Sequence, residues 1–141
     1  MGIISLVEQV KNEDIVLPAI QRDFVWSEAK IEKLFDSIMR GYPIGILLLW
    51  KTYNDIQYRR FEKDYRSEAL FTFHDNRQKR RLKLVLDGQQ RLQSLYIALL
   101  GTHEGKYFYF DVLSGHETED FKEEQYLFYF LNAEEADEKN R

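Results

Sequence analysis

This chain of 141 residues is 44% apolar and 31% charged, with a formal net charge of −4 and no cysteine, which fits one compact domain whose core needs no staples. Without cysteine there is no thiolate nucleophile, no thiolate metal site and no sign of an oxidising compartment, so a cytoplasmic setting is expected. The longest apolar run, 44–50, is broken by Gly45 and falls far short of the roughly 20 residues that cross a bilayer, while the N-terminus lacks the basic start and cleavage site of a signal peptide.

Residues 3–11 read as a helix, with Ser5 and Glu8 at capping-box spacing and Ile4, Leu6, Val7 and Val10 on its apolar face. Ile15-Val16-Leu17 is a strand stopped by Pro18, and Ala19 to Trp26 form an exposed turn. From Ser27 to Arg40 the pattern is helical: Ser27 caps, and Ile31, Leu34, Phe35, Ile38 and Met39 recur at helical spacing. Gly41 takes the left-handed C-terminal position and Pro43 ends the segment. Ile46 to Tyr53 reads as a buried strand.

Between Asp55 and Phe73, Ile56 and Tyr58 and then Leu70, Phe71 and Phe73 indicate short strands around a charged middle, followed by a polar turn of His74, Asp75 and Asn76. Leu82 to Leu86 is a strand ended by Asp87-Gly88. Gln89 to Leu100 is a helix with Leu92, Leu95, Tyr96 and Leu99 on one face and Gly101 at its C-terminal stop. Two aromatic strands, Tyr107 to Val112 and Tyr126 to Leu131, flank the polar stretch Ser114–Glu124. Helices and strands mix without strict alternation, which predicts an α+β domain over residues 1–131. The polar tail 132–141 lacks apolar anchors and is expected to be a domain boundary or disordered.

The most informative stretch is Leu84 to Arg91, a strand that runs through Asp87-Gly88 into the start of a helix. The first N–H groups of that helix have no intrahelical partners and sit at its positive end, which favours an anion. Gly88 allows close approach of a phosphate, Arg91 can fork onto phosphate oxygens, and Gln89 and Gln90 add neutral donors. Asp87 either holds a metal-bound water or caps the helix, and spacing alone equally allows a plain N-cap with Arg91 as a surface cation. A second cluster, Pro18 to Trp26, frames Gln21, Arg22 and Asp23 with large apolar groups. It presents Gln21 and Arg22 to a ligand or is an aromatic-stapled connector.

The overall charge conceals a polarity. Residues 1–100 carry 16 Lys+Arg against 13 Asp+Glu, while residues 101–141 carry 4 against 11, so a phosphate-binding face in the front half is compatible with the acidic total. The run Arg77, Lys79, Arg80, Arg81 and Lys83 could contact DNA phosphates, although a solvated hairpin face is the more ordinary outcome. His74, His103 and His116 lack paired metal spacing and read as surface residues, and no metal site is expected. No nucleophile elbow or Walker-type loop is present. From these residues alone, a non-enzymatic DNA-binding or partner-docking module is an alternative to a nucleotide site.

Taken together, Pro18, Gln21, Arg22, Phe24 and Trp26, then Ser37 to Gly45 with its Gly-Tyr-Pro-Ile-Gly ending, then Asp87-Gly88-Gln89-Gln90-Arg91 resemble the N-terminal domain of GmrSD-type modification-dependent restriction enzymes. The resemblance implies a ParB/sulfiredoxin-like mixed sheet with flanking helices, whose strand-to-helix turn binds nucleotide. It implies an NTP held by Gln21, Arg22, Asp87, Gly88, Gln89, Gln90 and Arg91, with Mg2+, hydrolysis assigned to Asp87 and Arg91, and control over cleavage of foreign DNA. Relatives often continue the signature with two threonines, where this chain has Gln93 and Ser94. Full-length relatives usually carry a His-Asn-His nuclease domain, which these residues lack, so the nuclease would lie elsewhere in the full-length protein or in a partner chain.

Overall fold

In the strand β1 (Ile15–Pro18), alternate side chains enter two different cores. Ile15 and Leu17 join the larger one, beneath the helices, while Val16 joins Tyr58, Leu82 and Leu84 in a smaller one. The computed structural model describes residues 2–68, 72–115 and 126–140. Around β1 it builds a five-stranded mixed sheet from β2 (Leu48–Thr52), β3 (Gln57–Arg59), β5 (Phe73–Asp75) and β6 (Leu82–Asp87), in the order β2-β6-β1-β3-β5. The β1–β6 pair is parallel and the other three pairings are antiparallel. Among the described residues, no helix is long and apolar enough to cross a membrane.

Three helices cover the larger core: α1 (Ile3–Lys11), α2 (Glu28–Met39) and α3 (Gln89–Leu100), with α1 and α2 both against α3. Two small sheets complete the architecture. The strand β4 (Asp64–Tyr65) pairs in parallel with β7 (Thr102–His103), and β8 (Tyr107–Phe110) pairs antiparallel with β9 (Phe128–Leu131). Phe108 and Phe128 stack at 5.1 Å, and Phe35 of α2 packs against both, which ties the second hairpin to the helical layer. These phenylalanines thus serve packing.

The α+β class and the main elements follow the sequence, and several local expectations are corrected. At α1 the N-cap is Gly2 without a side-chain bond, so Ser5 and Glu8 form no capping box. Ser27 caps α2 as expected, accepting the Lys30 N–H. Gly41, at φ 75°, donates to the Ile38 carbonyl while Tyr42 donates to that of Ser37, the pair of bonds that closes a Schellman motif. The strand Leu48–Thr52 is a half-exposed edge, not a buried strand, because only β6 flanks it; Leu48 and Trp50 face solvent. His74 and Asp75 belong to β5 rather than to a turn. Gly101 ends α3 as expected, in extended backbone at φ −140°, and a β-carbon there would meet the Lys63 carbonyl. Leu70, Phe71, His116 and most of the Ser114–Glu124 stretch lie outside the described residues.

The tail departs most from expectation. Residues Ala133–Lys139 form the helix α4, nucleated by a capping box in which Asn132 and Glu135 satisfy each other's backbone N–H. Lys139 lies 4.0 Å over the Tyr129 ring and fastens the helix to β9. None of its side chains is buried, which is why apolar periodicity failed to reveal it.

Asn76, 3% exposed, organises the turn between β5 and β6. Its Nδ2 donates to the carbonyls of Asn54 (3.0 Å) and Arg80 (2.8 Å), and its Oδ1 accepts the Arg80 N–H (3.0 Å). Asn76→Ala strands these buried groups, so a loss of about 2 kcal/mol in urea unfolding is expected; a loss below about 0.5 kcal/mol, the level of a surface change, would contradict this role.

Candidate functional site

The end of β6 and the start of α3 meet at Gly88, whose φ of 92° is a left-handed geometry that glycine accommodates. Asp87 Oδ1 accepts the neighbouring Gly88 N–H at 2.9 Å, and no side chain caps the helix. The cap alternative for Asp87 is therefore not realised, and the first turn of α3 presents its N–H groups uncapped.

The two motif segments converge here, by contacts the sequence did not suggest. Gln21 Nε2 donates to the carbonyls of Val85 (3.2 Å) and Leu86 (3.4 Å), which fixes the loop after β1 beside the C-terminal end of β6. Gln89 Nε2 donates to the Arg22 carbonyl at 3.0 Å. Gln90 pairs with a stretch of backbone as another strand would, donating to the Asp23 carbonyl at 3.0 Å and accepting the Val25 N–H at 2.9 Å. One turn on, Gln93 does the same with the N–H and carbonyl of Glu62. The three glutamines of α3 are buried, and Gln21 is half-buried. Amide side chains replace the hydrogen bonds that the irregular loop backbone cannot make to itself.

Arg91 forks, as its chemistry favours, onto two carbonyls of its own chain: Ile44 and Ile46, each at 2.5 Å. The guanidinium lies so close to Gly45 that a β-carbon there would sit 1.6 Å from an Arg91 nitrogen. The Gly-Tyr-Pro-Ile-Gly segment is thus clamped over the Asp87-Gly88 turn, and a β-carbon at Gly88 would meet Leu47 at 2.9 Å and Arg91 at 3.0 Å. Three segments far apart in sequence form one built site.

Beside the junction lies a cavity of about 240 Å3 walled by the 22–25 loop, the end of β3, the segment around β4, and Gln89, Gln90 and Gln93. Its charged side chains are Arg22, Arg59, Arg60 and Arg66 against Asp23 and Glu62. Arg59 is 6% exposed and donates to the Gln21 carbonyl at 2.8 Å, with Asp23 3.5 Å away. Arg60 is paired with Glu13 at 3.0 Å. Tyr65 meets Phe24 edge to face at 5.0 Å; burial, with Glu104 and Asp23 nearby, pushes its hydroxyl pKa up, so it remains a proton donor at neutral pH. Glu104 accepts the Ser67 N–H at 2.6 Å, and this bond, with the Ser67 hydroxyl, His103 and Arg66, holds its carboxyl below the ordinary range.

Arg59, Arg60, Arg66 and Tyr65 were not singled out from sequence; they fall in the charged stretch 55–73, where no period marked a face. Gln93 stood out only as a departure from the family signature, not as a wall of the cavity. His103 is buried rather than at the surface, its ring nitrogens facing the Trp26 carbonyl (3.2 Å) and Glu28 (3.4 Å).

The basic run lies at the opposite end of β6 from Asp87, and four residues from Lys83 to Asp87 span about 13 Å. Arg77 pairs with Asp75 at 3.1 Å, Arg80 with Asp14 at 3.5 Å, and Lys83 donates to Gln9 at 2.6 Å. Its cations are largely engaged by the protein itself, as a solvated hairpin face would have them. Among the described residues no group of three or more His, Asp or Glu is placed to hold a metal ion.

Residues 3–141 match the sequence profile of the family described as GmrSD restriction endonuclease, N-terminal domain. The chain is also 33% identical over 104 residues to an uncharacterized protein, MJ0686, of Methanocaldococcus jannaschii. That match covers 70% of this chain and 17% of the relative, so the chain spans a small part of that protein's length.

Proposed function

The chain belongs to the GmrSD restriction endonuclease N-terminal domain family, and we propose that it is the NTP-binding regulatory unit of a DNA restriction system directed at foreign, modified DNA. One observation carries the proposal: the segments holding Gln21–Arg22 and Asp87–Arg91 are tied together by side-chain amides beside an arginine-lined cavity and an uncapped helix N-terminus. Such a helix end, backed by guanidinium groups, is suited to phosphate oxygens.

In this proposal the ligand contacts come from the first N–H groups of α3 and from Arg22. Gln21, Gln89, Gln90 and Arg91 are positioning residues that hold the loops. Mg2+ is ordinarily bound through one or two carboxylates together with substrate phosphates, so the exposed carboxylate of Asp87 fits an ion arriving with the triphosphate. Hydrolysis would then rest on charge neutralisation at the helix end, with Asp87 orienting water or the ion. The ParB/sulfiredoxin-like relationship of the fold, the cytoplasmic setting, and a nuclease domain elsewhere in the full-length protein or on a partner chain belong to the same proposal.

Arg22→Ala is the discriminating variant, because Gln89 holds the Arg22 carbonyl and not its side chain. Calorimetry with each NTP and Mg2+ is expected to show binding weakened about tenfold or more, the equivalent of losing one charge-assisted contact, with an unchanged melting temperature. Equal affinity in the variant, or no NTP binding by the parent chain, would overturn the proposal.

A further inference from the structure

We infer that the cavity between the 22–25 loop, β3 and α3 receives the polyphosphate arm of the ligand, so that recognition rests on phosphates and not on the nucleobase. The inference rests on the NTP-binding proposal and assigns the parts of that site. Four arginines from three separate segments, Arg22, Arg59–Arg60 and Arg66, line one small space together with Asp23 and Glu62, while Glu13 pairs with Arg60 and Glu104 interacts electrostatically with Arg66. Among the described residues Arg22 and Arg66 form no ion pair. Arg59 is buried and already oriented by the Gln21 carbonyl, so its guanidinium needs no reordering to meet an anion.

Size and wall chemistry narrow the ligand. About 240 Å3 lies below the 300–1,000 Å3 of pockets that enclose a whole drug-sized ligand, so base and sugar remain outside. The two aromatic side chains in the wall, Phe24 and Tyr65, meet at an interplanar angle of 81°, which forms no parallel slot for a base. Gln89 is 8% exposed, its Nε2 is committed to the Arg22 carbonyl, and its Oε1 has no partner among the described residues. A buried acceptor of this kind calls for a proton donor, such as the water shell of the cation that a polyphosphate carries.

The test is displacement of a fluorescent ATP analogue from the 141-residue chain in the presence of Mg2+, with ATP, GTP, CTP, UTP, sodium tripolyphosphate and adenosine as competitors. The four NTPs are expected within about threefold of one another, tripolyphosphate within about tenfold of ATP, and millimolar adenosine without effect. Arg66→Ala is expected to weaken tripolyphosphate and all four NTPs by a common factor of about ten, as loss of a shared phosphate contact requires. Displacement by adenosine but not by tripolyphosphate, or a preference above tenfold for one NTP, would overturn the inference while leaving NTP binding intact. If calorimetry shows tripolyphosphate bound but no NTP, the NTP-binding proposal fails and the polyphosphate cavity stands. If neither binds, both fail.

Discussion

Replacing Gly45 by alanine is expected to destabilise the domain by about 3 kcal/mol, because two costs meet at one position. At φ 103° an L side chain is strained by roughly 1–2 kcal/mol. The new methyl would also occupy the place of the Arg91 guanidinium, 1.6 Å from its nearest nitrogen. Arg91 can swing away only by giving up the carbonyls of Ile44 and Ile46, and hydrogen bonds to a charged donor contribute about 1.5–3 kcal/mol each when buried, less at this half-exposed site. Because the second cost exists only while Arg91 is present, a double-mutant cycle separates the two. Arg91→Ala alone is expected to cost about 2 kcal/mol, and Gly45→Ala in that background only the strain of about 1–2 kcal/mol. Additive effects in urea unfolding would show that Gly45 and Arg91 do not act as a unit.

The parts of the fold that were legible are those where one local rule decides. Ser27 before a helical apolar face and Gly41 after it mark α2 from both ends, and Leu82 to Leu86 ended by Asp87-Gly88 marks the interior strand β6. Elsewhere tertiary context decided. The run from Ile46 to Tyr53 is as apolar as a central strand, but the sheet order places it at an edge, and nothing in its own residues specifies a neighbour count. In α4 no side chain is buried, and its capping box is visible in sequence only to a search that does not begin from apolar spacing. Gly101 ends α3 as its sequence position indicates, but what its lack of a side chain serves, the close approach of the Lys63 backbone, is set by tertiary context.

The site shows the same division. Residues 21–22 and 87–91 lie together in the fold, joined by the hydrogen bonds of Gln21 and Gln89, whereas the partner of each polar side chain within the protein is not legible from its residue type. Gln89, Gln90 and Arg91 look like ligand donors because they are polar groups crowded into a first helical turn. Each instead has its donor engaged by a loop carbonyl from a segment at least 45 residues away in sequence. Donor capacity is written in the residue type, but the acceptor is chosen by the fold. Two of the cavity arginines were missed for the complementary reason: Arg59 ends, and Arg60 follows, a three-residue strand, too short for alternation to distinguish inside from outside.

Gln90→Glu tests the central claim that buried amides hold this site, and its signature is a pH dependence that the parent position lacks. Gln90 is 7% exposed and needs a donor for the Asp23 carbonyl and an acceptor for the Val25 N–H. An ionised carboxylate still accepts from Val25 but faces the Asp23 oxygen with a lone pair, in a place where an uncompensated charge is costly. Burial and this repulsion raise the folded-state pKa of the introduced carboxyl above its unfolded value of about 4.3. Below that value the group is protonated in both states, its O–H can donate to Asp23, and the penalty is small. As pH climbs toward the raised folded pKa the unfolded state ionises first, so the penalty grows, and it is complete above that pKa. A rise of two pKa units corresponds to about 2.7 kcal/mol. Relative to the parent chain, a loss of about 3 kcal/mol is therefore expected at pH 7 and about 1 kcal/mol or less at pH 4, read from urea midpoints. Gln90→Leu, which cannot ionise, should be destabilised equally at both. A pH-independent loss in Gln90→Glu would mean that the carboxyl escapes to solvent and that the 22–25 loop is held by something other than this amide.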